Sequence, residues 1–185
     1  MVATADPGPV VTPDSVDYLT TAQNLAAGHG LLAYDGQLLV LFPPGYPAAV
    51  AALSWVTSIE PLLAARIIDS LAFGGIVLLG WVLLRRHVEL RALRVAGIVA
   101  IAVGAPLCVI ATAAWSEPLF VLTTLGSIVL LERFLASPGR LGLLAGAAVL
   151  AAAAFYVRHV GVAMVATGAA ALLFAPAAPL GQRLR

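Results

Sequence analysis

Residues Pro61–Leu84 read PLLAARIIDSLAFGGIVLLGWVLL and run directly into Arg85-Arg86. The hydrocarbon core of a bilayer takes about 20 helical residues, so this stretch reads as a membrane span closed by a basic pair. The other arginines repeat the arrangement. Arg91 and Arg94 join Arg85 and Arg86 in a first cluster, Arg133 and Arg140 form a second, and Arg183 and Arg185 a third. Apolar stretches separate the clusters and predict five spans: Pro61–Leu84, Val95–Ala113, Glu117–Leu135, Leu141–Val157 and Val160–Pro176. Arginine-rich loops stay on the cytoplasmic side, which places residues 1–60 outside, with Arg66 and Arg158 on that same outer face against the rule.

Composition agrees with the class. Of the 185 residues, 62% are hydrophobic and 10% charged, with a mean hydropathy of +1.02. A soluble domain is about 45–50% apolar and about 25% charged. The expected fold is therefore all-α, a polytopic membrane bundle in the cytoplasmic (inner) membrane with an extracytoplasmic amino-terminal segment. A net charge of +1 gives no reason to expect nucleic acid. Cys108 stands alone in an apolar run, so no disulfide or thiolate metal site is expected. Met1–Pro13 is polar and Pro-rich, without the apolar run of a cleavable signal. Sixty outer residues with no span before them predict either a missing first helix, the chain then being a fragment, or insertion with the amino end outside.

Two interfacial helices are expected in the outer segment, at about 13–27 and 46–58. For the first, Thr12 or Asp14 suits the cap, Pro13 the first turn and Gly28 the stop. Leu19, Ala22, Leu25 and Ala26 form an apolar stripe that lets this helix lie on the membrane surface. Asp14, Asp17, Tyr18 and Thr21 share another face, where two carboxylates can bind a cation or take a proton from a hydroxyl, or simply serve the helix amino terminus. Asp35-Gly36 marks a turn, and Phe42–Pro47 (FPPGYP) introduces the second helix, with Tyr46 and Trp55 expected as interfacial rings.

Several short motifs recur in an order that resembles the amino-terminal part of the membrane-integral glycosyltransferases of the C superfamily. These are the protein O-mannosyltransferase-like and aminoarabinose-transferase-like enzymes, which use polyprenyl-phosphate sugars. The matching residues are Pro13-Asp14 with Tyr18, Gly28-His29-Gly30, Pro43-Pro44-Gly45-Tyr46-Pro47, Ala64-Ala65-Arg66, Ser116-Glu117-Pro118 and Arg158-His159-Val160-Gly161. The resemblance implies that Asp14 is the catalytic base, that a helix precedes the outer loop, and that further spans follow Arg185. It also implies a lipid-linked sugar as donor substrate and membrane lipid as surroundings.

Each candidate has a plainer role beside the functional one. Glu117 is either a sugar- or cation-binding acid or the acidic start of a helix capped by Ser116. Arg158 is either a phosphate clamp or an interfacial side chain reaching for water; His159 beside it is a second donor or an ordinary ring. Arg66 and Asp69 are spaced to pair on one helix face, although ionisable groups inside a membrane default to function. His29 and His87 lack zinc-ligand spacing, so no dedicated zinc site is indicated and no metal ligand is named, while a divalent cation as cofactor stays open. Gly142–Ala154 and Ala163–Ala171 are expected to be close-packing helix surfaces. Glu117, Arg158 and Arg66, with Asp17, Tyr18 and His159, make up the expected substrate-binding set. The expected activity is sugar transfer from a polyprenyl phosphate to an acceptor hydroxyl, the alternative being a non-catalytic scaffold or transporter-like bundle.

Overall fold

The computed structural model describes residues 11–174 of the chain. Its helices are α1 (Pro13–Ala26), α2 (Gly45–Thr57), α3 (Pro61–His87), α4 (Arg91–Val103), α5 (Ala105–Thr112), α6 (Glu117–Ala136), α7 (Leu141–Val157) and α8 (Val162–Phe174). A short 3₁₀ turn, His159–Gly161, precedes α8. The third arginine cluster, Arg183 and Arg185, lies outside the described residues, as do Ala175 and Pro176 at the end of the expected last span.

Among the described residues three units are long and apolar enough to cross a membrane: α3, the α4–α5 stretch Arg91–Thr112, and α6. The segments Leu141–Val157 and His159–Phe174 are apolar but shorter. α7 coincides in its bounds with the expected fourth stretch, and α3 runs on through Arg85, Arg86 and His87, the two arginines suiting the negative end of the helix dipole. The expected span Val95–Ala113 matches this Arg91–Thr112 stretch, which is broken within its length into α4 and α5. Gly104 is extended (φ −61°, ψ 120°), and Pro106 in the next turn has no N–H to continue the ladder.

α6 is the centre of the bundle, packed most extensively against α7 and next against α3. Small residues bring these axes together. A Cβ on Gly126 would lie 2.8 Å from Leu150 Cδ1, and one on Gly146 2.9 Å from Leu130 Cδ1. Ser127 Oγ donates to the Ala147 carbonyl at 2.9 Å, a bond from α6 to α7. Ala147, Ala151 and Ala154 are buried, as expected of a close-packing surface. The run Ala163–Ala171 is not: α8 has no buried residue, so its small side chains face outward. The α4–α5 stretch is also peripheral, only 6% of its apolar window being buried.

At the other end of α3, helices α1 and α2 stack on each other and on the bundle. Tyr18, Tyr46, Val50, Ala64, Ala65, Ala114 and Val157 form one buried cluster there. Gly45 opens α2 against the last turn of α7, where its missing Cβ would lie 2.5 Å from the Tyr156 carbonyl oxygen. That neighbour is backbone and cannot rotate aside. Gly45→Ala is expected to cost about 1–3 kcal/mol through overpacking, read as a lower thermal midpoint of the purified protein; an unchanged midpoint would mean that α2 does not dock this closely.

Candidate functional site

The start of α1 is fixed from two directions. Thr12 caps it: Thr12 Oγ1 accepts the Ser15 N–H at 3.4 Å, and Ser15 Oγ accepts the Thr12 N–H at 3.1 Å. Thr12 Oγ1 also accepts Trp115 Nε1–H at 2.7 Å, which ties α1 to the loop before α6. Gly28, at φ +80°, closes the other end as expected. Because Thr12 takes the capping role, Asp14 is left exposed in the first turn.

The buried face of α1 is Ser15, Tyr18, Thr21 and Ala22. This corrects the expected apolar stripe: Ala22 is buried, Leu19 and Leu25 pack on the core cluster and Ala26 is exposed, so the stripe meets protein and not the membrane surface. Tyr18 is likewise a core side chain, 2% exposed, rather than an open substrate contact. Its neighbours explain why: its ring packs against Phe42 (centroids 4.8 Å) and edge-on to Tyr46 (5.2 Å).

Only the Tyr18 hydroxyl reaches the polar cluster. It lies 3.1 Å from Ser116 Oγ, and Arg158 Nη1 donates to the same oxygen at 3.2 Å. Arg158 also pairs with Glu117 Oε1 at 2.5 Å. Arginine can only donate, so one lone pair of Ser116 is taken by Arg158 and the hydroxyl keeps its proton and second lone pair for Tyr18. Ser116 stands at the N-cap position of α6, but its side chain makes no capping bond. Glu117 does open that helix, but its carboxylate is joined to Arg158, which in turn is not reaching freely for water. The two side chains are 36% and 31% exposed, leaving the pair open from one side.

A second polar contact lies beneath. The Tyr46 hydroxyl donates to Asp69 Oδ2 at 2.8 Å, and Tyr46 is fully buried. The expected interfacial ring is thus a core residue, its place at the surface taken by Trp55, which is 73% exposed. Asp69, expected to face Arg66, is 1% exposed and accepts from the Tyr46 hydroxyl. Arg66 is half-buried one turn earlier on α3. Asp69 Oδ1 has no hydrogen-bond partner among the described residues. Burial pushes both phenols above their usual range, Tyr46 further because Asp69 faces it, so both stay neutral hydroxyls and neither is a base. Tyr46→Phe is expected to cost about 1–3 kcal/mol, since it strips a buried carboxyl of its donor. Thermal unfolding in detergent measures this, and a midpoint equal to the parent's would mean that Asp69 finds another donor.

Of the expected site residues, Tyr18, Glu117 and Arg158 meet at Ser116, and Asp14 acts on the Tyr18 hydroxyl only through its charge. Asp17 is half-buried, its Oδ1 walled off without a partner among the described residues. His159 falls elsewhere. It stacks edge-on with Phe155 and lines a cavity of about 440 Å³ with Leu38, Val40, Phe42 and Tyr156. Among the described residues no three His, Cys, Asp or Glu side chains stand close enough to hold a metal ion. Sequence reasoning missed Ser116 as the hub, although it quoted the residue within Ser116-Glu117-Pro118, and missed the Tyr46–Asp69 bond altogether.

Among the described residues, fold and site together show an all-helical protein with helices long and apolar enough to cross a membrane, the Ser116 cluster lying at the end of the bundle away from Arg85 and Arg86. Comparison with protein families, curated proteins and solved structures finds no match to this chain.

Proposed function

We propose that this protein is a membrane-integral glycosyltransferase of the inner membrane, moving a sugar from a polyprenyl-phosphate donor to an acceptor hydroxyl at the outer face. The observation that carries the reading is convergence on Ser116. Tyr18, Ser116-Glu117 and Arg158 come from three of the motifs that carry the resemblance, far apart in sequence, and they meet in one hydrogen-bonded cluster. The buried Ala64-Ala65 and Tyr46 of two further motifs pack directly beneath it. Sidedness supports the location: Arg86 and His87 meet Glu132 at one end of the bundle, whereas α1 and α2 sit at the other. In this reading all five apolar segments, α7 and His159–Phe174 included, lie in the membrane.

In the proposed reaction Asp14 takes the proton from the acceptor hydroxyl as its oxygen bonds to the anomeric carbon. The bond from that carbon to the phosphate oxygen breaks, and the polyprenyl phosphate leaves with the electron pair. Arg158, joined by Arg66 of α3, stabilises the charge gathering on the phosphate. Any divalent cation would take its remaining ligands from the donor phosphate, with Glu117 and Asp14 at hand. The test is transfer of labelled sugar from a polyprenyl phosphate in membranes carrying the protein. No transfer above membranes lacking it, across a panel of donors, rejects the activity.

The Glu117–Arg158 pair at 2.5 Å also favours a second reading, in which the outer ions only neutralise each other in a non-catalytic scaffold. Substitutions at Arg158 and Glu117 separate the two readings.

A further inference from the structure

The arginine-bearing end of the bundle holds a second arrangement of groups, far from Ser116. A cavity of about 360 Å³ opens between the ends of α3 and α6 and the start of α7. Arg86, Arg133 and Arg140 line it, beside Ala136 and Leu143. Arg86 shares Glu132 with His87, at 3.5 and 3.2 Å. Arg133 and Arg140 are exposed and make no ion pair with any described residue. Three guanidinium groups thus face a single carboxylate, an excess of positive charge that an anion would relieve.

Arg133 also ends a second cavity, of about 350 Å³, which follows the membrane-spanning surface between α3, α6 and α7. Leu79, Leu122, Leu130 and Leu150 wall this groove, and Gly126 keeps its floor low. A basic chamber at a helix end and an apolar channel along the helices therefore meet at one residue. The shape is that of an amphiphile with a charged head.

We propose that the two cavities form one binding site for an anionic phospholipid, its phosphate among Arg86, Arg133 and Arg140 and one acyl chain along the groove. Planar guanidinium groups suit phosphate oxygens through paired hydrogen bonds. Inside a bilayer the chain exchanges lipid for an equally apolar wall, so the groove orients the molecule while the arginines select for charge.

The experiment is native mass spectrometry of the whole chain in neutral detergent, titrated with phosphatidylglycerol, phosphatidylcholine or inorganic phosphate. Phosphatidylglycerol is expected to bind at least about tenfold more tightly than phosphatidylcholine, and the double variant R133Q/R140Q to lose about tenfold or more of that affinity. Millimolar inorganic phosphate is expected to leave the lipid bound. Equal binding of the two lipids, an unaffected double variant, or displacement by inorganic phosphate would each overturn the proposal, the last pointing to a site for a free anion. Should R133Q/R140Q lose its helical circular dichroism, Ser137→Glu tests the same point by placing a carboxylate on the rim of the cavity; it is expected to weaken phosphatidylglycerol binding similarly, and unchanged binding overturns the site.

Discussion

Asp14→Asn is expected to lower sugar transfer by about 10²–10⁴-fold, the usual contribution of a positioned general base, while hardly moving the thermal midpoint. The substitution is informative because of how α1 begins. An acid in a first helical turn is ordinarily explained by capping, but here Thr12 and Ser15 bond each other's backbone N–H and Asp14 takes no part. The amide keeps the size of the side chain and removes only the charge, whose interaction with the helix dipole is worth about 0.3–1 kcal/mol. Thr12→Ala provides the contrast. It removes the cap and the Trp115 contact together and should lower stability by about 1 kcal/mol. Undiminished turnover in Asp14→Asn membranes would take this residue out of the mechanism.

Arg158→Ala is expected to reduce turnover by about 10²–10³-fold, the effect of deleting one preorganised donor to developing charge. Its effect on stability should be small, because an ion pair exposed by a third contributes about 0–1 kcal/mol. Arg158→Lys restores the charge but not the planar fork, so recovery should be partial. Glu117→Gln decides between the two readings. If Arg158 serves a phosphate, loosening its carboxylate partner leaves donor binding intact or improves it. Were the outer ions only a structural pair, the parent would show no transfer above background, and Glu117→Gln and Arg158→Ala would do no more than lower the midpoint by similar amounts.

Much of the scaffold was legible because span length and arginine placement are strong, local signals. Leu141–Val157 came out as a helix with its boundaries unchanged. The polar end was less legible, for a physical reason. Helical spacing says which side chains share a face but not what that face meets. Tyr18 shares the Asp14 side of α1, yet Phe42 and Tyr46 arrive from a distant loop and helix to cover it. Asp69 stands three residues from Arg66 on one helix, but the Tyr46 hydroxyl reaches it from α2. Ser116 reads locally as a cap, and only Arg158, forty-two positions on, shows its other use. Pairings across long sequence separations decided the site, and nothing in a single chain's periodicity encodes them.

The break at Gly104 bears on how the protein meets bilayers of different thickness. A rigid rod too long for the local hydrocarbon slab must tilt as a whole, dragging its neighbours. The stretch Arg91–Thr112 is instead two short rods joined at an extended residue, with few packed neighbours to hold their angle. It can fold or straighten like an elbow, absorbing a thinner or thicker membrane on the rim of the molecule while α3, α6 and α7 keep their alignment.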